Sequence, residues 1–261
     1  MLGRTDTYLR ETTHMKNDRF RKVFTKPHTF LPVIHVEDLD QALRNIGIAL
    51  ENGADGVFLI NHRVTPLELM FIYKKAREEF PHFWLGVNVL GLTPTDALRF
   101  ALTHAEIDGL WTDNVGISSD RSTAAARRFS AAQITRGWKG LYFGGTAFKY
   151  QDPVTDETDL KHVTGLASQY TDVVTTSGDE TGKPPTVEKI LTMRDVLDWY
   201  GAHYEGAAPW LAIASGMTPQ NVHKYPAANC FLAFTGISLP GTENLDSRRV
   251  REFSDNVAKM A

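Results

Sequence analysis

The sequence predicts a single (β/α)8 TIM barrel with a basic N-terminal extension, and three observations carry that expectation. The chain has 261 residues, close to the ~250 typical of such a barrel. After residue 30, short apolar runs alternate with amphipathic stretches eight times over. The apolar runs are unbroken, as expected of strands covered on both faces. Strands that alternate with helices are parallel, because each crossover returns the chain to the same end of the sheet. The rival architecture, an open doubly wound sheet, lacks support, since no Gly-x-Gly-x-x-Gly follows the first strand. Residues 1–30 are read as the extension and residues 31–261 as one barrel domain with no internal linker.

The elements follow in order. Residues 31–36 form the first strand, and the helix at 39–51 has Leu39, Leu43, Ile46 and Leu50 on one face and ends at Asn52-Gly53. Strand two is 57–60. Thr65-Pro66 opens its helix, with Thr as cap and Pro where a missing N–H costs nothing. Strand three is 83–89, and Thr93-Pro94 repeats the start signal. Strand four is 108–112, followed by an alanine-rich helix at 122–134. Strand five is 140–144 with a helix at 157–168, and strand six is 172–176 with the longest helix at 187–204. Strand seven is 210–214, with a short helix opened by Thr218-Pro219. Strand eight is 231–235, and a helix at 247–260 closes the chain.

Composition narrows the partners. The net charge is -3, from 28 basic and 31 acidic side chains. That balance excludes nucleic acid as a principal partner, which would need a concentrated basic surface. No run reaches the ~18 apolar residues needed to span a bilayer, and the polar N-terminus lacks a secretory core, so a cytoplasmic setting is expected. The single cysteine, Cys230, lies in the apolar run Cys230-Phe231-Leu232-Ala233-Phe234 and reads as a small core residue. The N-terminal arm carries Arg4, Arg10, Lys16, Arg19, Arg21, Lys22 and Lys26. It is read as a helix capping the barrel bottom or as a contact in a homo-oligomer, in preference to a loose tail.

Function in such barrels collects at the C-terminal ends of the strands. That rule selects His35 and Glu37 from strand one, Asn61 and His62 from strand two, and Asn88 from strand three. Strand four contributes Asp113 and strand five leads to Lys149. The residues read as proton carriers are His35, Asp113 and Lys149: imidazole titrates near neutrality, and a desolvated lysine can lose its proton in a useful range. Asn61 and Asn88 would orient ligand hydroxyls. The stretch Ser177-Gly178-Asp179-Glu180-Thr181-Gly182-Lys183-Pro184-Pro185 fails as a P-loop: the glycine spacing is short and Pro184 stands where Ser or Thr would meet magnesium. It reads as a mobile loop over the mouth, hinged at Gly178 and Gly182, with Ser177, Thr181 and Lys183 reaching the ligand. Ser215-Gly216 and Gly236 to Ser238 follow strands seven and eight, where phosphate is often held, and glycine lets backbone N–H groups approach an anion. No histidine pair has metal-ligand spacing. No cofactor is assigned; Glu37, Asp113 and Asp179 could share a hard cation such as Mg2+.

These motifs resemble those of the BtpA/SgcQ family of barrel proteins across roughly residues 31–258. The residues that carry the resemblance are Val33-Ile34-His35-Val36, Gly53-Ala54-Asp55-Gly56-Val57, Gly86-Val87-Asn88-Val89-Leu90 and the 174–185 segment. Ser215-Gly216-Met217-Thr218-Pro219-Gln220-Asn221-Val222 and Thr235-Gly236-Ile237-Ser238-Leu239 complete it. The resemblance implies a ribulose-phosphate-binding type of barrel, from a family linked to photosystem I biogenesis and to sugar-phosphate gene clusters. By matched position it carries over His35, Asn88, Lys149, Ser177, Thr181, Gly182, Ser215 and Gly236. The family's Pro-Leu-Pro-Gly after the first-strand His is replaced here by Glu37-Asp38-Leu39-Asp40. The ends of strands four and five also depart from the pattern, and Pro240 stands where a basic residue is common. The expected function is an enzyme for a small phosphorylated metabolite, working by isomerase, epimerase or lyase chemistry, with a transferase as a further class. The alternative is a non-catalytic assembly or regulatory scaffold that senses such a ligand.

Overall fold

The eight apolar runs pair side by side, in sequence order, into a closed parallel barrel: β1 Thr29–His35, β2 Gly56–Ile60, β3 Trp84–Asn88, β4 Gly109–Thr112, β5 Leu141–Gly145, β6 Val173–Thr176, β7 Trp210–Ile213 and β8 Cys230–Ala233. This computed structural model describes residues 19–151, 154–203 and 209–260. Seven α-helices return the chain: α1 Leu39–Glu51, α2 Pro66–Glu79, α3 Pro94–His104, α4 Ala124–Thr135, α5 Glu157–Ser168, α6 Val187–His203 and α7 Ser247–Ala258. After β7 the expected short helix is only a 3-10 turn, Val222–Lys224. Pro219 and Pro226 bracket this segment and each lacks an N–H, and Asn221 Oδ1 accepts from Thr218 N (2.8 Å), which leaves little length for an α-helical ladder.

The helix starts follow local chemistry. Thr65 and Glu68 form a reciprocal capping box ahead of Pro66, Thr93 accepts from Asp96 N ahead of Pro94, and Asp38 accepts from Gln41 N. Burial splits the core into two layers. The outer layer, between strands and helices, holds residues such as Ile34, Leu59, Val87, Leu110, Val174 and Leu211. The inner layer fills the barrel and draws on every strand, among them Leu31, Val33, Phe58, Trp84, Trp111, Phe143, Val173, Trp210 and Cys230. Gly109 makes room for one of these: a Cβ there would lie 2.4 Å from the Trp84 ring.

The barrel bottom is closed by residues that precede the first strand. Residues 19–23 are helical, and Phe20 and Phe24 belong to the inner core. Phe20 stacks on Trp210 at 3.9 Å between ring centroids. Arg4, Arg10 and Lys16 lie outside the described residues. No helix among the described residues is long and apolar enough to cross a membrane.

Candidate functional site

The two-residue period of the strands determines which side chains reach the mouth. Inner-core positions Val33, Trp111 and Val173 put His35, Asp113 and Ser177 on the same inward-facing rows at the C-terminal end, and Asn88 ends the inward row of β3. His35 packs against His62 (ring centroids 4.2 Å, stacked) and against Phe234 (3.9 Å). Its Nδ1 lies 3.0 Å from Glu243 Oε2. Burial, then the nearby His62, Lys149 and Arg63, hold His35 far below the ordinary imidazole range, at about 3. His62 is lowered too, first by burial and then by Lys149.

Asp113 accepts from Asn88 Nδ2 at 3.1 Å. Burial raises its carboxyl above the usual range, opposed by that hydrogen bond and by the charges of Lys149 and His62. His62 and Lys149 thus act electrostatically on both His35 and Asp113, so the three expected proton carriers share one mouth. Lys149 is flanked by two strained residues, Ala147 (φ +47°) and Tyr150 (φ +62°), a conformation costly for side-chain-bearing residues and common at functional sites. The Lys149 amide donates to Ser177 Oγ (2.7 Å), and Nζ lies 3.3 Å from Thr181 Oγ1.

The loops after β7 and β8 meet. A Cβ on Gly236 would lie 2.2 Å from Met217 O, and one on Gly216 (φ +65°) would lie 2.1 Å from Pro184 N. These glycines therefore allow three loops to close on one another. Among the described residues, no group accepts from the backbone N–H of Gly216, Met217, Gly236 or Ser238. Ser215 and Ser238 are buried; Ser215 Oγ donates to Glu180 O at 3.2 Å, and Arg249 Nη1 donates to Ser238 O at 2.9 Å.

Several expected ligand contacts are otherwise engaged. Asn61 Oδ1 accepts from Leu90 N at 2.7 Å, fixing the β3 loop. Lys183 is exposed and paired with Glu180 at 2.7 Å. Gly178 is buried against the Lys183 and Pro184 backbone, where a Cβ would lie 2.3 Å from Lys183 O, so its lack of a side chain permits this close approach. Among the described residues no three His, Cys, Asp or Glu side chains come together to hold a metal ion, so Glu37, Asp113 and Asp179 are not assembled as a set. Cys230 is buried, as expected.

Sequence reasoning missed Glu243 and Lys189. Glu243 lies well past the end of β8, too far along the loop for a rule that samples strand ends. Lys189, in the first turn of α6, donates to Ala147 O (2.6 Å) and Ser177 O (2.8 Å), tying the β5 and β6 loops together. Burial lowers its ammonium to about 8. A helix position gives no linear signal for such a role.

Fold and site together define a closed parallel (β/α)8 barrel with polar side chains gathered at the strand C-termini. No family model and no curated protein matches the sequence. Solved structures do match in fold. The 3-keto-L-gulonate-6-phosphate decarboxylase from Vibrio cholerae aligns with TM-score 0.61 at 12% identity, over 90% of this chain and 100% of that one. Phosphoribosylanthranilate isomerase from Thermotoga maritima aligns with TM-score 0.57 at 14% identity, over 88% and 98%. Thiamine phosphate pyrophosphorylase from Pyrococcus furiosus aligns with TM-score 0.56 at 10% identity, over 95% and 99%. At these identities the likeness is one of fold.

Proposed function

We propose that this barrel is an enzyme that binds a small phosphorylated metabolite, a sugar phosphate or a nucleotide-like phosphate, at its C-terminal mouth. The observation that carries the reading is the junction of the β7 and β8 loops. Ser215, Gly216, Gly236 and Ser238 cluster there, with several backbone N–H groups that have no acceptor among the described residues. Such groups suit an anion, and Lys149 and Arg63 add positive charge at the same mouth. The names of the three similar structures described above, which concern phosphorylated compounds, and the BtpA/SgcQ-like motifs support the same ligand class. His35, neutral at physiological pH, would take a proton from the substrate. Asp113, oriented by Asn88, would hold or return one, and Lys149 with Thr181 would steady the developing charge. Isomerase, epimerase or lyase chemistry fits that set.

Titration calorimetry with inorganic phosphate and a panel of sugar phosphates and nucleotides tests the binding. Affinity should appear for at least one phosphorylated compound and should fall at least tenfold in Ser238→Glu, which sets a carboxylate beside the anion. No affinity for any of them would end the proposal. Binding without turnover across the panel would instead favour the scaffold that senses a ligand.

A further inference from the structure

His35 is the best-placed base at the mouth, and its surroundings are more elaborate than packing requires. Its Nδ1 meets Glu243 Oε2 at 3.0 Å, while among the described residues nothing hydrogen-bonds its Nε2. Both side chains are largely covered, with 19% and 17% of their surfaces exposed. Glu243 is held in turn by two buried amides one turn apart on α1. Gln41 Nε2 donates to Glu243 O at 2.8 Å and to His35 O at 3.0 Å. Asn45 Nδ2 donates to Glu243 O at 2.8 Å, and its Oδ1 accepts from Leu245 N at 3.0 Å. One helix therefore grips the backbone on both sides of the contact. Gln41 and Asn45 are nearly fully buried, and buried amides are costly unless their partners are fixed.

We infer that Glu243 is a positioning residue for His35, accepting the Nδ1–H and thereby leaving Nε2 unprotonated as the atom that exchanges a proton with a ligand. A carboxylate on one ring nitrogen sets the tautomer and orientation of an imidazole whose other nitrogen does the chemistry. The rings of His62 and Phe234, both packed against it, restrict its movement. The other charged groups around the pair are Arg63, whose guanidinium lies 3.8 Å from Glu243 Oε1, together with Lys149 and Glu37. The catalytic half of this inference rests on the proposed function; the tautomer does not.

The test reads the tautomer directly, from long-range 1H–15N spectra of the uniformly 15N-labelled full chain at neutral pH. The His35 signals are assigned by their loss in His35→Gln. In the parent protein Nδ1 should resonate as a protonated nitrogen and Nε2 as an unprotonated one. Glu243→Ala should lose that pattern and move toward the Nε2–H form. Glu243→Gln, whose amide oxygen still accepts, should retain it, which separates loss of the acceptor from general loosening of the loop. An Nε2–H tautomer in the parent, or the same Nδ1–H tautomer in Glu243→Ala, would overturn the inference. Because no substrate is involved, either result stands apart from the fate of the phosphate-binding proposal.

Discussion

Burial acts on His35 and Asp113 in opposite directions on the pKa scale but toward one end, the uncharged form of each group: it lowers the imidazole and raises the carboxyl. For His35 the folded value is about 3 against 6.5 unfolded, so between those limits the unfolded chain binds a proton that the folded chain does not. The stability from this group is complete above pH 6.5 and is lost as the pH falls toward about 3. His62, lowered in the same sense, adds to the effect. Urea midpoints should therefore drop on going from neutral pH to about pH 4.5, and His35→Gln should flatten part of that slope. An unchanged slope in the variant would assign the loss to other groups. Gly216 carries a different residue-scale prediction. With φ +65° and no space for a Cβ beside Pro184, Gly216→Ala should cost on the order of 1–3 kcal/mol. Calorimetry should record that as a fall of several degrees in Tm, and an unshifted Tm would mean that the 178–184 loop is not held against the glycine.

At the scale of elements, α1 does more than cover β1. Its Asn45 is fully buried and serves both the carbonyl of Glu243 and the N–H of Leu245. Removing it leaves a buried N–H without an acceptor, which costs about 1–3 kcal/mol. We expect Asn45→Ala to destabilise by that amount and to hasten proteolysis within 238–246 in a limited digest. A digest unchanged from the parent would show that Gln41 alone suffices to anchor the loop. The helix starts at Thr65-Pro66 and Thr93-Pro94 were legible in sequence because a cap is a contact between residues three apart. The anchoring by Asn45 was not, because its partners lie about 200 residues away.

For the whole molecule, the barrel is sealed at one end by residues that precede its first strand. Phe20 is fully buried, stacks on Trp210 and reaches toward Phe143 at 6.1 Å. Phe20→Ala should cost about 3–5 kcal/mol, a fall in Tm on the order of 10 °C for a chain of this size. A loss no larger than that of an exposed substitution such as Val23→Ala would mean that the plug is not part of the cooperative barrel. The mouth and the plug lie at opposite ends, so this variant should leave the affinity proposed for phosphorylated compounds unchanged below its own Tm.

The amino-acid sequence by itself determined the barrel: eight apolar runs in alternation with amphipathic helices have one closed parallel arrangement, which the structure has. It also pointed to the ends of the strands, and His35, Asn88, Asp113 and Lys149 do gather at one mouth. Which of those polar groups lack a protein partner depends on closure of the barrel. Asn61 and Lys183 look available in a linear reading but have protein partners, while Glu243 and Lys189 enter from a distant loop and a helix turn. The physical reason is that strand periodicity and helix caps are local, written within a few residues. Hydrogen-bond satisfaction and desolvation depend on neighbours that closure of the barrel brings together from across the chain.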